Sequence, residues 1–310
     1  MNKGRGIEQR ADIVIDKSRK ELVEYPAAYI PCSVIYSDLT KYTMKSVPWH
    51  WHPGIEFFSV KSGAVRYCLE TGEYVFQKGE GGFINQSVLH ATEIAGDAGC
   101  ELLTFIFSPG LFTGGEENEL YQRIESSLEG IQEIPVIALN QHDPWKKEIL
   151  ACMDEAYDGY CEESAVGELL LMEKMMHIWR LVAQHGVSQR GYAVSEVNVQ
   201  TQMRLKQMLE FIHEHYTEPI VLEDIAKAAG ISARECTRNF QNGIRMSPVA
   251  YLIKYRITKA QELLCTSGQS VTEVGLQTGF NNSSYFARMF RRYTGESPKK
   301  YQQNHSYVKH

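Results

Sequence analysis

The chain has 310 residues, with 32 Lys+Arg against 38 Asp+Glu, a formal net charge of −6 and 43% hydrophobic residues. That length allows two or three domains with real cores. No run of eighteen apolar residues and no charged-then-apolar leader is present, so the expectation is a cytoplasmic protein without a membrane span or secretory signal. The seven cysteines (Cys32, Cys68, Cys100, Cys152, Cys161, Cys236 and Cys265) form no C-x-x-C pair, which argues for a reducing compartment and against a disulfide framework.

The charge is unevenly spread. Met203 to His310 holds 15 Lys+Arg and 9 Asp+Glu, a balance of +6, and the preceding part carries −12. A basic module beside an acidic one points its basic end at a polyanion.

Residues 1–24 are polar and read as an arm. Residues 25–140 read as a β domain. Short β-branched and aromatic runs (AYIPCSVIY, IEFFSV, AVRYCLE, EYVFQ, GGFIN, ELLTFIF) alternate with turn residues at Ser62-Gly63, Thr71-Gly72 and Gly81-Gly82. Their spacing suits a small barrel or sandwich. Within 141–188 the period changes, and Trp145–Cys161 and Ser164–His185 read as amphipathic helices. Leu169, Leu170, Met172, Met176, Trp179 and Leu181 make up much of the second helix's apolar surface. That surface suits packing against the barrel, a subunit interface, or both, and a homodimer is expected. Residues 189–202 read as a polar linker and 203–305 as helical.

The helical part contains a duplication. Leu222–Ser232 aligns with Val271–Asn281, so that Ile225 matches Val274, Ala226 matches Gly275, and Gly230 matches Gly279. After one extra residue in the turn, Arg238 matches Arg288, Phe240 matches Phe290, Ser247-Pro248 matches Ser297-Pro298, and Tyr251 matches Tyr301. Each copy carries the chemistry of a helix-turn-helix, placed at 222–241 and 271–291. A small residue allows a close crossing, a glycine ends the first helix, and Ile231 or Phe280 plugs the core. Ser232 with Glu235, or Asn282, then caps the second helix.

That second helix buries Cys236 and Phe240, or Phe286 and Phe290. Its other side presents Arg234, Thr237 and Arg238, or Ser283, Ser284 and Arg288, to base edges of double-stranded DNA. Lys254, Arg291, Arg292, Lys299 and Lys300 suit phosphates. The helix-favouring stretch from Ser247 to Thr266 spans about 30 Å, close to the roughly 34 Å between successive major-groove faces.

The stretch Arg256-x3-Ala260-x2-Leu263-Leu264, then Val271-x2-Val274-Gly275-x3-Gly279-Phe280-x4-Tyr285-Phe286-x-Arg288-x-Phe290, ending Gly295-x-Ser297-Pro298-x2-Tyr301, resembles the signature of the AraC/XylS family. The likeness covers about Leu205 to Gln303, a third of the chain. Cys236 and Asn239 depart from it, standing where the family has larger apolar residues, as does Gln241, where lysine is frequent.

In the front domain, Trp49-His50-Trp51-His52-Pro53-Gly54-Ile55-Glu56 through Gly63 reads H-x-H-x3-E-x6-G, with His90 about thirty residues on. Histidines two apart on a strand share a face, and Glu56 shares their parity. The pattern is similar to that of cupins, although Asn85-Gln86-Ser87 stands where cupins have proline and glycine. A cupin-like sensor is also what the AraC/XylS resemblance implies. In cupin enzymes the positions matching His50, His52, Glu56 and His90 bind a divalent metal, and this donor set suits Mn, Fe, Ni or Zn. In regulators the same residues contact a ligand or each other. Ligand contact is the preferred reading and no cofactor is expected. The resemblance favours a sugar-like effector, on which Trp49 or Trp51 could stack.

The expected fold is therefore α+β and multidomain. A cupin-like β-barrel with a helical interface segment precedes an all-α domain with two helix-turn-helix motifs. The expected function is that of a transcription regulator, an activator included, that binds DNA under control of a small molecule, with RNA polymerase a further partner. The alternatives are a metal-dependent cupin isomerase or dioxygenase with a DNA-binding tail, and a constitutive DNA binder whose barrel is a scaffold. No acid/base pair, nucleophile constellation or phosphate-binding glycine loop appears elsewhere.

Overall fold

The computed structural model describes residues 13–16, 19–23, 32–42, 45–107, 119, 123, 131, 134–162, 164–186 and 196–305. The chain divides into two compact units, Met1–Asp16 with Lys20–Val199, and Lys17–Arg19 with Gln200–His310. Most of the expected arm, residues 28–31 of the first expected strand run and 189–195 of the expected linker lie outside the described residues. No described helix is long and apolar enough to cross a membrane.

The first unit is built on β1 (Cys32–Asp38), β2 (Ser46–His50), β3 (Ile55–Leu69), β4 (Gly72–Gln77), β5 (Gly81–Ile84), β6 (His90–Ile94), β7 (Cys100–Phe107) and β8 (Val136–Leu139). Among the described residues these strands pair antiparallel, in the orders β1-β7-β3-β5-β8 and β2-β6-β3-β4. β3 belongs to both sets. Its first half pairs with β5 and β7, and its second half with β4 and β6.

The switch happens where the sequence suggested a turn. Ser62-Gly63 does not end a strand. The register against β7 slips between Val60 and Ser62, and Gly63 has φ +68° inside one 15-residue strand. The extra residue of a bulge exchanges the two faces of a strand. Before it, even-numbered Phe58 and Val60 enter the inner cluster while Ile55 and Phe57 turn to the outer one. After it, odd-numbered Val65, Tyr67 and Leu69 point inward. Gly81-Gly82 likewise is no turn but part of β5. A Cβ on Gly82 would lie 2.6 Å from the Phe58 ring, so glycine is there for close approach.

Two helices cover the outer cluster, α1 (Pro144–Cys161) and α2 (Ala165–His185). Pro at the first position of α1 and Ser164, whose hydroxyl accepts from Gly167 N–H, set their starts. Ile149 and Met153 of α1 and Leu171, Met175, Ile178 and Val182 of α2 pack against Phe57, Phe83, Phe105 and Phe107. Of the apolar residues expected to form the surface of α2, Trp179 and Leu181 are buried, whereas Leu169 and Met176 are 66% and 51% exposed. The helix carries two apolar stripes, and the packed one lies on the other side.

In the second unit, α3 (Glu196–His215) is followed by α4 (Leu222–Ala228), α5 (Ala233–Gly243), α6 (Pro248–Thr266), α7 (Val271–Gln277), α8 (Ser283–Thr294) and α9 (Pro298–His305). α3 begins inside the expected linker, because no glycine or proline interrupts 196–203 and a helix propagates freely from its amphipathic part. Arg19 belongs to this unit, its Nη2 donating to Tyr251 Oη at 2.7 Å.

Gly63→Ala tests the β3 corner. A Cβ there would sit 1.9 Å from Gly99 O on top of the positive-φ strain. The substitution should cost at least about 2 kcal/mol. Urea unfolding followed by tryptophan fluorescence should show the midpoint falling, and an unchanged midpoint would mean that the corner is not strained.

Candidate nucleic-acid interface and a buried histidine centre

The two helix-turn-helix units are closed by local chemistry. Ser232 and Glu235 exchange hydrogen bonds at the start of α5, with Glu235 N–H donating to Ser232 Oγ and Ser232 N–H to Glu235 Oε2. Ser270 and Glu273 do the same for α7, and Asn282 Oδ1 accepts from Tyr285 N–H to start α8. Each such cap stabilises by about 1 kcal/mol. The Ser232 and Ser270 bonds hold the Glu235 and Glu273 carboxyls below their usual range. The turn glycines Gly230 and Gly279 take φ +64° and +84°. At Gly275, which faces the Phe286 ring, an added Cβ would meet the ring at 2.9 Å.

Arg234, Thr237 and Arg238 are exposed on α5, and Ser283, Ser284, Arg288, Arg291 and Arg292 on α8. On α5 the spacing of three and four residues places its three on one face. Lys299 and Lys300 are exposed at the start of α9, and Lys254 is half-buried on α6. Thr237 Oγ1 bonds back to Ala233 O at 3.0 Å. The inward face holds Cys236 and Phe240, or Phe286 and Phe290, all buried, while Ile231 is only partly so.

Two residues were missed as parts of this surface or its support. Tyr285 is exposed one turn before Arg288, whose guanidinium lies 5.3 Å from the Tyr285 ring centre. Helical spacing from Arg288 would have found it. In the sequence Arg256 stands out only as a landmark of the family resemblance. It anchors α6, with Nε donating to Tyr216 O and Nη2 to Glu218 O, both at 2.6 Å.

In the barrel the structure brings His50, His52, Glu56 and His90 together, with one ligand atom of each within 4.8 Å of the others, and all four are buried. Strand parity is not the cause, because β2 ends at His50 and His52 lies beyond it. Pairing does the work. His50 sits opposite His90 across β2 and β6, and Glu56 enters from β3. Ser87, at φ +58°, donates its N–H to His52 O, and Asn85 Nδ2 donates to Ile131 O and Ile134 O. The Asn85-Gln86-Ser87 departure is thus a built turn. Among the described residues, no ring contact or hydrogen bond joins Trp49 to the cluster.

The three rings share one orientation. Each Nδ1 lies 2.8–2.9 Å from a backbone carbonyl, that of Pro48 for His50, Gly54 for His52 and Val88 for His90. A carbonyl only accepts, so each Nδ1 carries the proton and each Nε2 faces inward. His52 Nε2 lies 3.1 Å and His90 Nε2 3.3 Å from Glu56 Oε2. His90 Nε2 makes no hydrogen bond. Tyr67 Oη donates to Glu56 Oε1 at 2.8 Å.

Burial, followed by the imidazoles of His90 and His52, holds His50 well below its usual range. Burial opposes the charge of His52 too, but the hydrogen bond and charge of Glu56, aided by Glu21, outweigh it and raise that imidazole. Burial also opposes the charge of Glu56, yet His52 and His90 hold its carboxyl well below the usual range. An orphaned ring nitrogen among convergent acceptors is the arrangement that a divalent cation satisfies, and three imidazoles with a carboxylate suit Mn, Fe, Ni or Zn.

The helix-turn-helix domain family matches residues 225–304, and the cupin domain family matches residues 43–106. A regulator from Bacillus subtilis (strain 168), described as the uncharacterized HTH-type transcriptional regulator YdeC, is 30% identical over 295 residues, covering 95% of this chain and 99% of the relative. The HTH-type transcriptional activator RhaS of Yersinia pestis (strain Pestoides F) is 24% identical over 265 residues, covering 81% and 88%. Among solved structures, an AraC-type DNA-binding domain-containing regulator from Chromobacterium violaceum aligns with 36% of this chain and 100% of its own, at 24% identity and TM-score 0.34. With the paired helix-turn-helix units and the cupin barrel in place, the chain belongs to the AraC/XylS family of transcriptional regulators, and it is a DNA-binding regulator, not an enzyme.

Proposed function

We propose that this regulator binds its operator through α5 and α8 and that a divalent metal ion in the barrel sets its operator affinity. The observation that carries the second half is the shared orientation of the three imidazoles. Their Nδ1–H groups are committed to backbone carbonyls, so all three rings turn Nε2 toward the centre, where His50 and His90 offer acceptors and His52 bonds the Glu56 carboxylate. A sugar-like effector, which the sequence favoured, needs donors as well as acceptors at its subsite. The Tyr67 hydroxyl already donates to Glu56.

His50, His52, Glu56 and His90 would hold the ion, which when bound supplies the positive charge that the buried acceptors lack. Holding it requires the His52 imidazole to give up its proton, so occupancy competes with protons. For the ion to act as an effector it must favour one of two arrangements of the regulator.

The expected partners are duplex DNA, RNA polymerase for an activator, and a second copy of the chain. For that copy, Val166, Leu169 and Met176 offer an apolar stripe on α2, being 71%, 66% and 51% exposed. Spacings of three and seven residues place them on one face.

Two sets of measurements test this reading. On DNA fragments recovered by genomic footprinting, Arg288→Ala should weaken specific binding by about 1–3 kcal/mol and relax base choice at one position. Lys300→Ala should weaken binding to all sequences alike and lower the salt slope by roughly one. Wild-type operator binding by Arg288→Ala across salt concentrations would remove that arginine from the base-contacting set.

For the barrel, chelator-stripped full-length protein should take up one equivalent of metal and change its operator affinity at least about five-fold. His52→Ala should lose both responses. Equal operator binding with and without metal, together with a shift on adding a pool of sugars, would put a sugar-like effector in its place. No shift with either would leave the barrel a scaffold.

A further inference from the structure

The Glu56 carboxylate has two oxygens, and the barrel treats them differently. Oε2 is the near contact of the imidazoles, 3.1 Å from His52 Nε2 and 3.3 Å from His90 Nε2. Oε1 accepts from Tyr67 Oη at 2.8 Å. A tyrosine hydroxyl has one proton to give, and here it is spent on that oxygen.

The aim of this hydroxyl is set by packing. Tyr67 is buried, on the part of β3 that faces inward after the bulge. Its ring stacks on Phe58, with centroids 3.9 Å apart and planes 8° from parallel, and meets the Phe76 ring edge-on at 5.9 Å. Phe58 is itself pressed against Gly82, as the close approach of their atoms requires. A run of contacts from β5 through Phe58 to Tyr67 therefore holds the donor against Glu56.

A carboxylate can give an ion one oxygen or both. Hydrogen bonds from outside the ligand set orient such a carboxylate and tune what it binds. With Oε1 engaged by Tyr67, Glu56 has Oε2 left to give. The three Nε2 atoms and this one oxygen make four donor atoms, a number that suits tetrahedral Zn2+ or Co2+. Mn2+, which favours more oxygen ligands in octahedral array, would gain from the second oxygen.

From this geometry, and resting on the metal reading of the cluster, we infer that Tyr67 is a positioning residue that restricts Glu56 to one ligand oxygen and so tunes the site toward four-coordinate ions and away from Mn2+.

The test uses chelator-stripped full-length protein titrated with Co2+ and read by visible absorption, with Zn2+ and Mn2+ affinities measured by competition with a chelating dye. Zn2+ outbinds Mn2+ at most sites, so the readout is the change in that preference between variants. Wild type should show the intense visible bands of tetrahedral Co2+. Tyr67→Phe keeps the ring and removes the hydroxyl. It should weaken Zn2+ binding roughly 10–100-fold, weaken Mn2+ binding less, and dim the Co2+ bands as Glu56 turns both oxygens to the ion. Phe76→Leu loosens the packing around the ring and keeps the hydroxyl. It should lower the urea midpoint yet retain the wild-type spectrum and the wild-type preference for Zn2+. If Tyr67→Phe matches wild type in spectrum and preference while His52→Ala binds no Co2+, the four-residue site stands and the role of Tyr67 is overturned. That role is equally overturned if Phe76→Leu alters the spectrum as Tyr67→Phe does. If wild type itself binds no Co2+, the metal reading falls and this inference with it.

Discussion

The carbonyl oxygens of Pro48, Gly54 and Val88 each accept a proton from an imidazole Nδ1, and this decides which nitrogen of each histidine faces the barrel interior. Everything that the front unit can hold depends on it. Were the rings flipped, their N–H groups would point inward and the Glu56 carboxylate would be satisfied by hydrogen bonds alone. With the Nδ1 protons held outside, the Nε2 atoms of His50 and His90 are left as acceptors and His52 Nε2 bonds Glu56. The bulge at Gly63 contributes to the same end from a distance, since the change of face it imposes on β3 turns Tyr67 inward to donate to Glu56. One strand thus delivers both the carboxylate and the hydroxyl that steadies it.

The rear unit solves a different problem, that of presenting charged side chains on short helices without a large core. α4 and α7 have seven residues each, too few to be stable alone. They stand because capping side chains satisfy their ends and because α6 gives them a common surface. The two copies differ in how the recognition helix is buried. α8 packs Phe286, Met289 and Phe290, whereas α5 packs Cys236, Asn239 and Phe240. The smaller Cys236 is nevertheless fully buried, so the departure from the family's larger residue leaves the packed face in place.

Much of this was legible in the sequence, and what was legible is local. A capping serine, a positive-φ glycine and an arginine one turn into a helix are neighbours in the chain, so the repeat exposed them together. The four members of the histidine centre could be named from spacing, although the reason for their meeting lies in strand pairing and not in one strand's alternation. The failures are non-local. Gly81-Gly82 looks like a turn until the Phe58 ring is known to lie against it. The apolar residues of α2 do not announce which of two stripes meets the sheet.

Arg256 and Gly279 carry a consequence for operators. The arginine of α6 binds the carbonyls that follow α3, and its guanidinium also lies within 3 Å of where a Cβ on Gly279 would be, beside the turn that launches α8. A first-copy boundary, the central helix and the second turn therefore meet at one charged side chain, and the angle between the reading heads has little freedom to change. Duplex DNA turns once in about 10–10.5 base pairs. Inserting half a turn between the two subsites swings the second to the far side of the duplex, where a stiff domain cannot follow. Single base changes cost the protein one contact, but a change of phase forfeits a whole reading head. Binding sites for this regulator should accordingly drift in letter while keeping their length.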